Sequence, residues 1–331
     1  MSPEPLPTPW LSILIPVYNV QDYLEACLQS VLSQADSGVE VIALDDVSTD
    51  NSLALLKQIQ AQSSHPIRII QHANNQGLSA ARNSMLTEAC GDYIWFLDSD
   101  DIICPGSLAA LKTIIQNHTP DLVLCDFYML RENTQLKHKL RGELHRKTFG
   151  GSENQLSSDK NALFYHLYKT AQLHIWSKIA KRSLWGDDLR FPSGQLMEDQ
   201  TVTPRLFLRA NTYYYCPQVW IGYRQRPGSI LSTPNRQRLI DSSISAKDVL
   251  KEWLQKHPDL TDQSRFTFAY TRAKMFIGIA RILRRSQQIN DLNWHRQQFF
   301  DNSQCNLNWL IMQYIKRGWF LRLARLLYHL R

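Results

Sequence analysis

What most limits the fold of this chain is a unit that recurs through its first third. Each copy is a short apolar run, a polar or acidic end, then a stretch with helical spacing. Leu11 to Val17 (LSILIPV) runs into Tyr18-Asn19. Val20 to Gln34 follows, with Tyr23, Leu24, Cys27, Leu28, Val31 and Leu32 on one helical face. Val39 to Leu44 ends in Asp45-Asp46, and Ser48 to Ser52 supplies capping residues ahead of Leu53, Leu56 and Ile59. Pro66 to His72 reads as a third strand, Asn74 to Ser79 as a polar turn, and Ala80 to Cys90 as a helix bearing Arg82 and Asn83. Tyr93 to Leu97 is apolar enough for a strand buried on both faces, and it stops at Asp98-Ser99-Asp100-Asp101.

Strand and helix alternating in this register predict an α/β fold with a mostly parallel sheet flanked by helices. Ligands of such sheets bind outside the carboxyl ends of the strands. Here those ends carry Tyr18, Asp45, Asp46, Asp98 and Asp100. Any one acidic end could be a solvated turn, but several converging on one edge mark a site. The carboxylates of the Asp98–Asp101 run repel one another, and a divalent cation bridging a phosphorylated ligand would relieve them. Hard oxygen donors suit Mg²⁺ or Mn²⁺. No G-x-G-x-x-G follows the first strand and no G-x-x-x-x-G-K-[ST] occurs, so a classical dinucleotide site and a P-loop both lose their main support.

These blocks resemble family 2 glycosyltransferases of the GT-A fold. The resemblance rests on Ile15-Pro16-Val17-Tyr18-Asn19, on Asp45-Asp46-x-Ser48-Thr49-Asp50, on Gly77-Leu78-Ser79-x-x-Arg82-Asn83 and on Asp98-Ser99-Asp100-Asp101. It covers roughly residues 10 to 130, with weaker matches to about 233. The resemblance implies inverting transfer of a sugar from a nucleotide donor, with Pro16, Tyr18 and Asp46 holding the nucleobase. It implies that Asp98 contacts the ribose, that Asp100 binds the Mn²⁺ or Mg²⁺ bridging the diphosphate, and that Arg82 adds charge there. The family has Gly after the Asp pair and this chain has Val47. A β-branched residue resists positive φ, so this turn is expected to use an ordinary conformation.

The second half carries the acceptor side. Pro120 to Leu130 is a strand interrupted by Asp126, and Arg131 to Asp159 is a polar, basic loop or irregular hairpin. By resemblance, Trp176 in His174–Ile179 stands beside the acceptor pocket and Met197-Glu198-Asp199 supplies the catalytic base, Asp199, with Glu198 in the acceptor region. Taken alone, Glu-Asp is an ordinary acidic first turn of a helix. Tyr213 to Arg226 is a further strand-like run ending in Pro227-Gly228-Ser229, and Arg224 and Arg226 resemble the basic loop after the base in related enzymes. Arginine suits bidentate phosphate contact.

The formal net charge of +7 calls for an anionic partner, and position decides which. Helical spacing dominates from about residue 237, over 241–255, 266–285 and 308–330. The last stretch sets Trp309, Leu310, Ile311, Trp319, Phe320, Leu323, Leu326 and Leu327 against Lys316, Arg317, Arg322, Arg325 and Arg331, and no acid follows Asp301. That pattern reads as a helix on an anionic membrane surface, through residues 303–331, rather than a nucleic-acid stripe. Packing on the domain or in a homodimer is its alternative. The expected organisation is an arm at 1–9, a GT-A domain at 10–235 and a helical region at 236–331. The GT-A domain divides into a nucleotide half at 10–130 and an acceptor half at 131–235.

Six scattered cysteines with no Cys-x-x-Cys spacing fit reduced thiols, not a zinc site. The start MSPEPLPTPW lacks a signal-peptide pattern, and no apolar run reaches a membrane span. A cytoplasmic enzyme peripheral to the inner face of the cell membrane is the expectation. Its donor is a UDP-sugar or similar, and its acceptor a saccharide or lipid-linked saccharide of a surface polysaccharide. A sugar-nucleotide nucleotidyltransferase and a non-catalytic binding protein on the same fold are the rival readings.

Overall fold

A computed structural model describes residues 8–226 and 236–331. Most of the proline-rich arm and Pro227-Gly228-Ser229 lie outside the described residues. The chain divides into two compact units, the first comprising residues 8–158, 174–194 and 209–226 and the second 159–173, 195–208 and 236–331.

The first unit holds every strand among the described residues: β1 (Leu11–Val17), β2 (Val39–Asp45), β3 (Ile67–Gln71), β4 (Tyr93–Phe96), β5 (Ile102–Ile103), β6 (Leu122–Leu130), β7 (Leu156–Ser157), β8 (Lys178–Lys181) and β9 (Tyr213–Arg224). They form one sheet in the order β3-β2-β1-β4-β8-β6-β9-β5, with β7 on β9. The first four are mutually parallel, as the alternation predicts. β8 runs antiparallel to both its neighbours, and β6 and β9 are parallel to each other. Neither β5 nor β8 was legible in the sequence, because two to four residues carry no period.

Register explains the site. Val17 pairs with Asp45, Asp45 with Gln71, and Leu14 with Phe96, so the carboxyl ends of β1, β2 and β4 come out on one edge. Every residue of β1 is buried, as is every residue of β4. Trp95 is fully buried and donates its indole N–H to the Trp176 carbonyl at 2.7 Å. Burial of such a side chain contributes about 1.5–3 kcal/mol, and its one polar atom is satisfied. Gly91 lies where a Cβ would meet the Ser12 backbone nitrogen at 2.5 Å, so only glycine lets the chain enter β4 beside β1.

The helix after β1 covers Leu24–Leu32, shorter than its apolar spacing predicts. The Ser52 hydroxyl accepts from the Val20 N–H at 2.8 Å and the Asp50 carboxylate from the Gln21 N–H at 3.1 Å. Those bonds tie Val20 and Gln21 to the loop after β2, in the turn that leads into the helix. Asp126, which breaks the apolar run of β6, sits at a register shift against β9. Its buried carboxylate accepts from Thr148 N–H at 2.8 Å and Tyr215 O–H at 3.0 Å and pairs with His145 Nε2 at 2.7 Å. The 131–159 segment is therefore pinned to the sheet. It contains the short helix Leu136–Leu140 and a bridge between Phe127 and Arg146.

The second unit is helical and has its own core, in which Phe266, Phe276, Leu283, Phe299, Leu310, Tyr314 and Leu326 meet. Arg272 lies inside it with its guanidinium on the Ser242 and Ser243 carbonyls, both at 2.9 Å, near the C-terminal end of helix Arg236–Ile244. A cation there answers the unpaired carbonyls of a helix end. Helix Leu292–Ser303 was not read from the sequence, since its inward face mixes Leu292 and Phe299 with His295, Asn302 and Ser303.

The single stretch expected over 308–330 is two helices, Leu307–Lys316 and Phe320–Leu330. Gly318 takes φ 67°, its N–H donates to the Ile315 carbonyl at 2.9 Å, and the Trp319 N–H donates to the Tyr314 carbonyl at 3.0 Å. This pair of bonds is the Schellman helix stop, and the Trp319 and Tyr314 rings add its usual hydrophobic contact. Gly318 was the signal. No helix among the described residues is long and apolar enough to cross a membrane.

Candidate active site

The carboxyl edge is built from two interlaced loops and one acidic turn. Asn19 and Val47 both take positive φ, 52° and 62°. The Asn19 carboxamide oxygen accepts from the Thr49 N–H at 2.7 Å, the Ser48 hydroxyl accepts from the Asn19 N–H at 3.1 Å, and the Asp46 N–H reaches the Val17 carbonyl at 2.9 Å. This lacing overrides the preference of Val47, so the expectation of an ordinary turn conformation is corrected. A β-branched residue there stores strain of about 1–2 kcal/mol, held by its neighbours. Replacing Val47 with Gly should therefore raise Tm by about 1–3 °C in a thermal melt, once the flexibility gained by the unfolded chain is subtracted. A lower Tm would mean that the valine side chain itself holds the turn.

Pro16 is buried within β1, and Tyr18 just beyond it is half-exposed, so its ring can receive a planar ligand. Asp46 is buried and committed to protein donors. It pairs with His72 Nδ1 at 2.6 Å and accepts from the Gln76 N–H at 2.9 Å and the Gly77 N–H at 2.7 Å. The other ring nitrogen of His72 meets the Ser84 hydroxyl at 2.9 Å. Asp46 thus shapes the turn that opens helix Leu78–Glu88, and His72 is a partner the sequence reading missed.

That helix delivers Arg82. Only 1 % of it is accessible; it donates to Asp98 at 2.8 Å and its guanidinium lies 5.3 Å from the Phe191 ring centre. Asp100 is answered by a second arginine, with Arg226 Nε donating to its carboxylate at 2.6 Å. Arg224 Nε donates to the Asp100 carbonyl at 2.7 Å, and the guanidinium groups of Arg224 and Arg226 lie 5.1 and 5.5 Å from the Tyr23 ring centre. Burial first, then the neighbouring Asp98, raises the Asp100 carboxyl above its ordinary range, and Arg226 offsets part of that.

Asp101, to which the sequence reading assigned no chemistry, is fully buried. It accepts the Arg224 N–H at 2.7 Å, and burial followed by the Asp98 and Asp100 charges pushes it well above the usual carboxylate range. It ties the end of β9 to the acidic turn and so sets where Arg224 and Arg226 stand.

Trp176 is 2 % accessible and lies in the core. Its ring stacks on His174 at 4.7 Å and on Tyr223 at 5.3 Å. Of these three rings Trp176 is the most buried, and His174 and Tyr223 are the partly accessible ones. Burial, then the Lys178 and Arg82 cations, pull the His174 imidazole down to about 3, so it is neutral. In the second unit, Glu198 is buried and its carbonyl accepts from the Thr201 and Val202 N–H groups at 3.0 Å. Asp199 opens helix Asp199–Arg209, two residues after Met197, which takes φ 63°.

Residues 12–173 match glycosyl transferase family 2, a span that holds Pro16, Tyr18, Asp46, Arg82, Asp98 and Asp100. Glycosyltransferase GlyA of Streptococcus pneumoniae is 31% identical over 226 residues, which are 66% of this chain and 31% of GlyA. The chain thus spans under a third of that relative's length. The protein described as putative glycosyltransferase EpsH of Bacillus subtilis is 29% identical over 262 residues, 77% of this chain and 72% of its own. Among solved structures, S. aureus TarS crystallised with UDP-GlcNAc superposes with a TM-score of 0.61 at 19% identity, covering 93% of this chain and 92% of that one. Mannosyltransferase PcManGT from Pyrobaculum calidifontis, solved with GDP-Man and Mn²⁺, gives 0.50 at 14%, covering 94% and 88%. The family match runs across the carboxyl ends of β1, β2 and β4, and the solved neighbours share the sheet: the chain is a glycosyltransferase of the GT-A fold whose residues 12–173 match glycosyl transferase family 2.

Proposed function

We propose that this glycosyltransferase moves a sugar, with inversion at the anomeric carbon, from a UDP-linked donor to a saccharide or lipid-linked saccharide acceptor of a cell-surface polysaccharide. The place of action in this reading is the inner face of the cell membrane. The observation that carries it is the acidic turn at the carboxyl edge, where Asp98 and Asp100 are each held by an arginine. Around that turn, Pro16 and Tyr18 would flank the nucleobase, with Asp46 fixing the loop beside it. The UDP-GlcNAc seen on TarS and the GDP-Man on PcManGT support a nucleotide-sugar donor.

The donor set suits a divalent metal. Asp98 and Asp100 are both partly accessible and offer hard oxygen ligands. Among the described residues no cluster of three or more His, Cys, Asp or Glu side chains forms a self-contained cage. One or two carboxylates completed by substrate phosphates is the ordinary mode for Mg²⁺, and the same oxygen donors suit Mn²⁺. When bound, the metal would neutralise charge on the departing diphosphate. Arg82 and Arg226 supply fixed positive charge to the same group. Asp199 takes the proton of the acceptor hydroxyl as its oxygen bonds to the anomeric carbon and the bond from that carbon to the diphosphate breaks.

A screen of nucleotide sugars by thermal shift, with and without Mn²⁺, tests the donor. One UDP-sugar at a hundred times its Kd should stabilise the protein by about 2.7 kcal/mol in the presence of metal. A panel in which no nucleotide sugar shifts the melt would sink the proposal.

A further inference from the structure

The two C-terminal helices carry more apolar surface than their own core uses. In helix Phe320–Leu330, Leu323, Leu326 and Leu330 are buried in the core of the second unit, together with Leu310 from the preceding helix. Trp319, Trp309 and Leu327, also counted in the sequence as a membrane stripe, pack against that core as well. The stripe expected to meet lipid is therefore, apart from Phe320, already spent on folding. Yet the outward face of the same helix is not polar. Phe320 is 63%, Leu321 88% and Tyr328 62% accessible, and Ala324 between them is exposed. At about 100° per residue these four positions fall in one arc of about 100°. Met312 and Ile315 of helix Leu307–Lys316 are exposed as well.

Charge borders this face on one side. Arg322 and Arg325 stand exposed there, Lys316 and Arg331 are exposed near the helix ends, and no Asp or Glu follows Asp301 in the sequence. The Arg322 guanidinium lies 4.2 Å from the Trp319 ring centre, a cation over an aromatic. A second copy of the chain is a poor occupant. A two-fold interface pairs a patch with itself and would bring these cations face to face. An anionic lipid surface satisfies both halves of the patch, since the apolar arc enters the acyl boundary and the arginines meet headgroup charge.

We infer that the Phe320, Leu321, Ala324 and Tyr328 face of the last helix, with its Arg322 and Arg325 edge, docks on an anionic lipid bilayer. This gives a named surface to the membrane association proposed above, and it rests on the second unit alone, independently of the donor. The test is co-sedimentation of the full chain with vesicles of phosphatidylcholine, with or without phosphatidylglycerol. Binding is expected only to the anionic vesicles. The doubly changed F320S/L321E protein should lose it by tenfold or more. R322Q and R325Q should each weaken it by about fivefold, and added salt should erase their difference from wild type. The donor-induced thermal shift should be unchanged in all of these, so failure of the docking face is distinguishable from failure of the donor reading. Equal binding by F320S/L321E, no wild-type binding to anionic vesicles, or a wild-type dimer abolished by L321E would each overturn the inference.

Discussion

Changing Asp199 to Asn should lower the rate of sugar transfer by about a thousandfold while leaving the UDP-sugar thermal shift intact. General acid–base groups contribute typically 10²–10⁴-fold, and Asn keeps the size and hydrogen-bonding shape of Asp without its capacity to take a proton. The change should fall on kcat and kcat/KM together, because proton removal matters only in the transition state. The neighbouring Glu198 is the internal control: its side chain is buried in the second unit, and its carbonyl is occupied by the first turn of the helix. Glu198→Gln should lose stability more than rate. Release of nucleoside diphosphate from acceptor-containing reactions gives both constants. Near wild-type transfer by Asp199→Asn would remove the base assignment, and a collapse confined to Glu198→Gln would move it one residue back.

Much of this site could be read before any coordinates, because parallel pairing converts a sequence pattern into a place. Each apolar run in the first third ends in polar residues, and the register of β1 with β2 and β4 puts those ends on one edge. What sequence could not supply was which side chain answers which. Arg82 and Asp98 are sixteen residues apart, and Arg226 and Asp100 are separated by 126, and no local period records such pairs. Asp101 looked superfluous because its partner is a backbone N–H far along the chain. Val47 defeated a sound conformational rule, since hydrogen bonds from Asn19 and Asp46 outweigh the preference of one side chain. In the tail, apolar spacing was right about helices and wrong about which residues remain exposed. Periodicity marks a face without saying what the fold has already buried.

Removing the Asp100 carboxylate should separate two contributions to donor binding. With Asp100→Ala, the extra stabilisation that Mn²⁺ gives to the UDP-sugar complex should disappear, leaving the smaller shift seen in EDTA. The wild-type carboxylate is not idle without metal, since Arg226 Nε sits 2.6 Å from it, and a cation arriving there competes with a guanidinium. Arg226→Ala should accordingly tighten Mn²⁺ binding to the nucleotide-free protein, followed by the loss of free-ion EPR signal. Two unit charges 4 Å apart exchange about 4 kcal/mol at an effective dielectric of 20, and partial exposure of both groups reduces that to about tenfold in affinity. The same substitution should weaken UDP-sugar binding, because the freed arginine is the one available to the diphosphate. Opposite signs for metal alone and for donor are the mark of an ion pair that is exchanged on binding. A purely structural pair would weaken both, and an unchanged Mn²⁺ increment in Asp100→Ala would place the metal elsewhere.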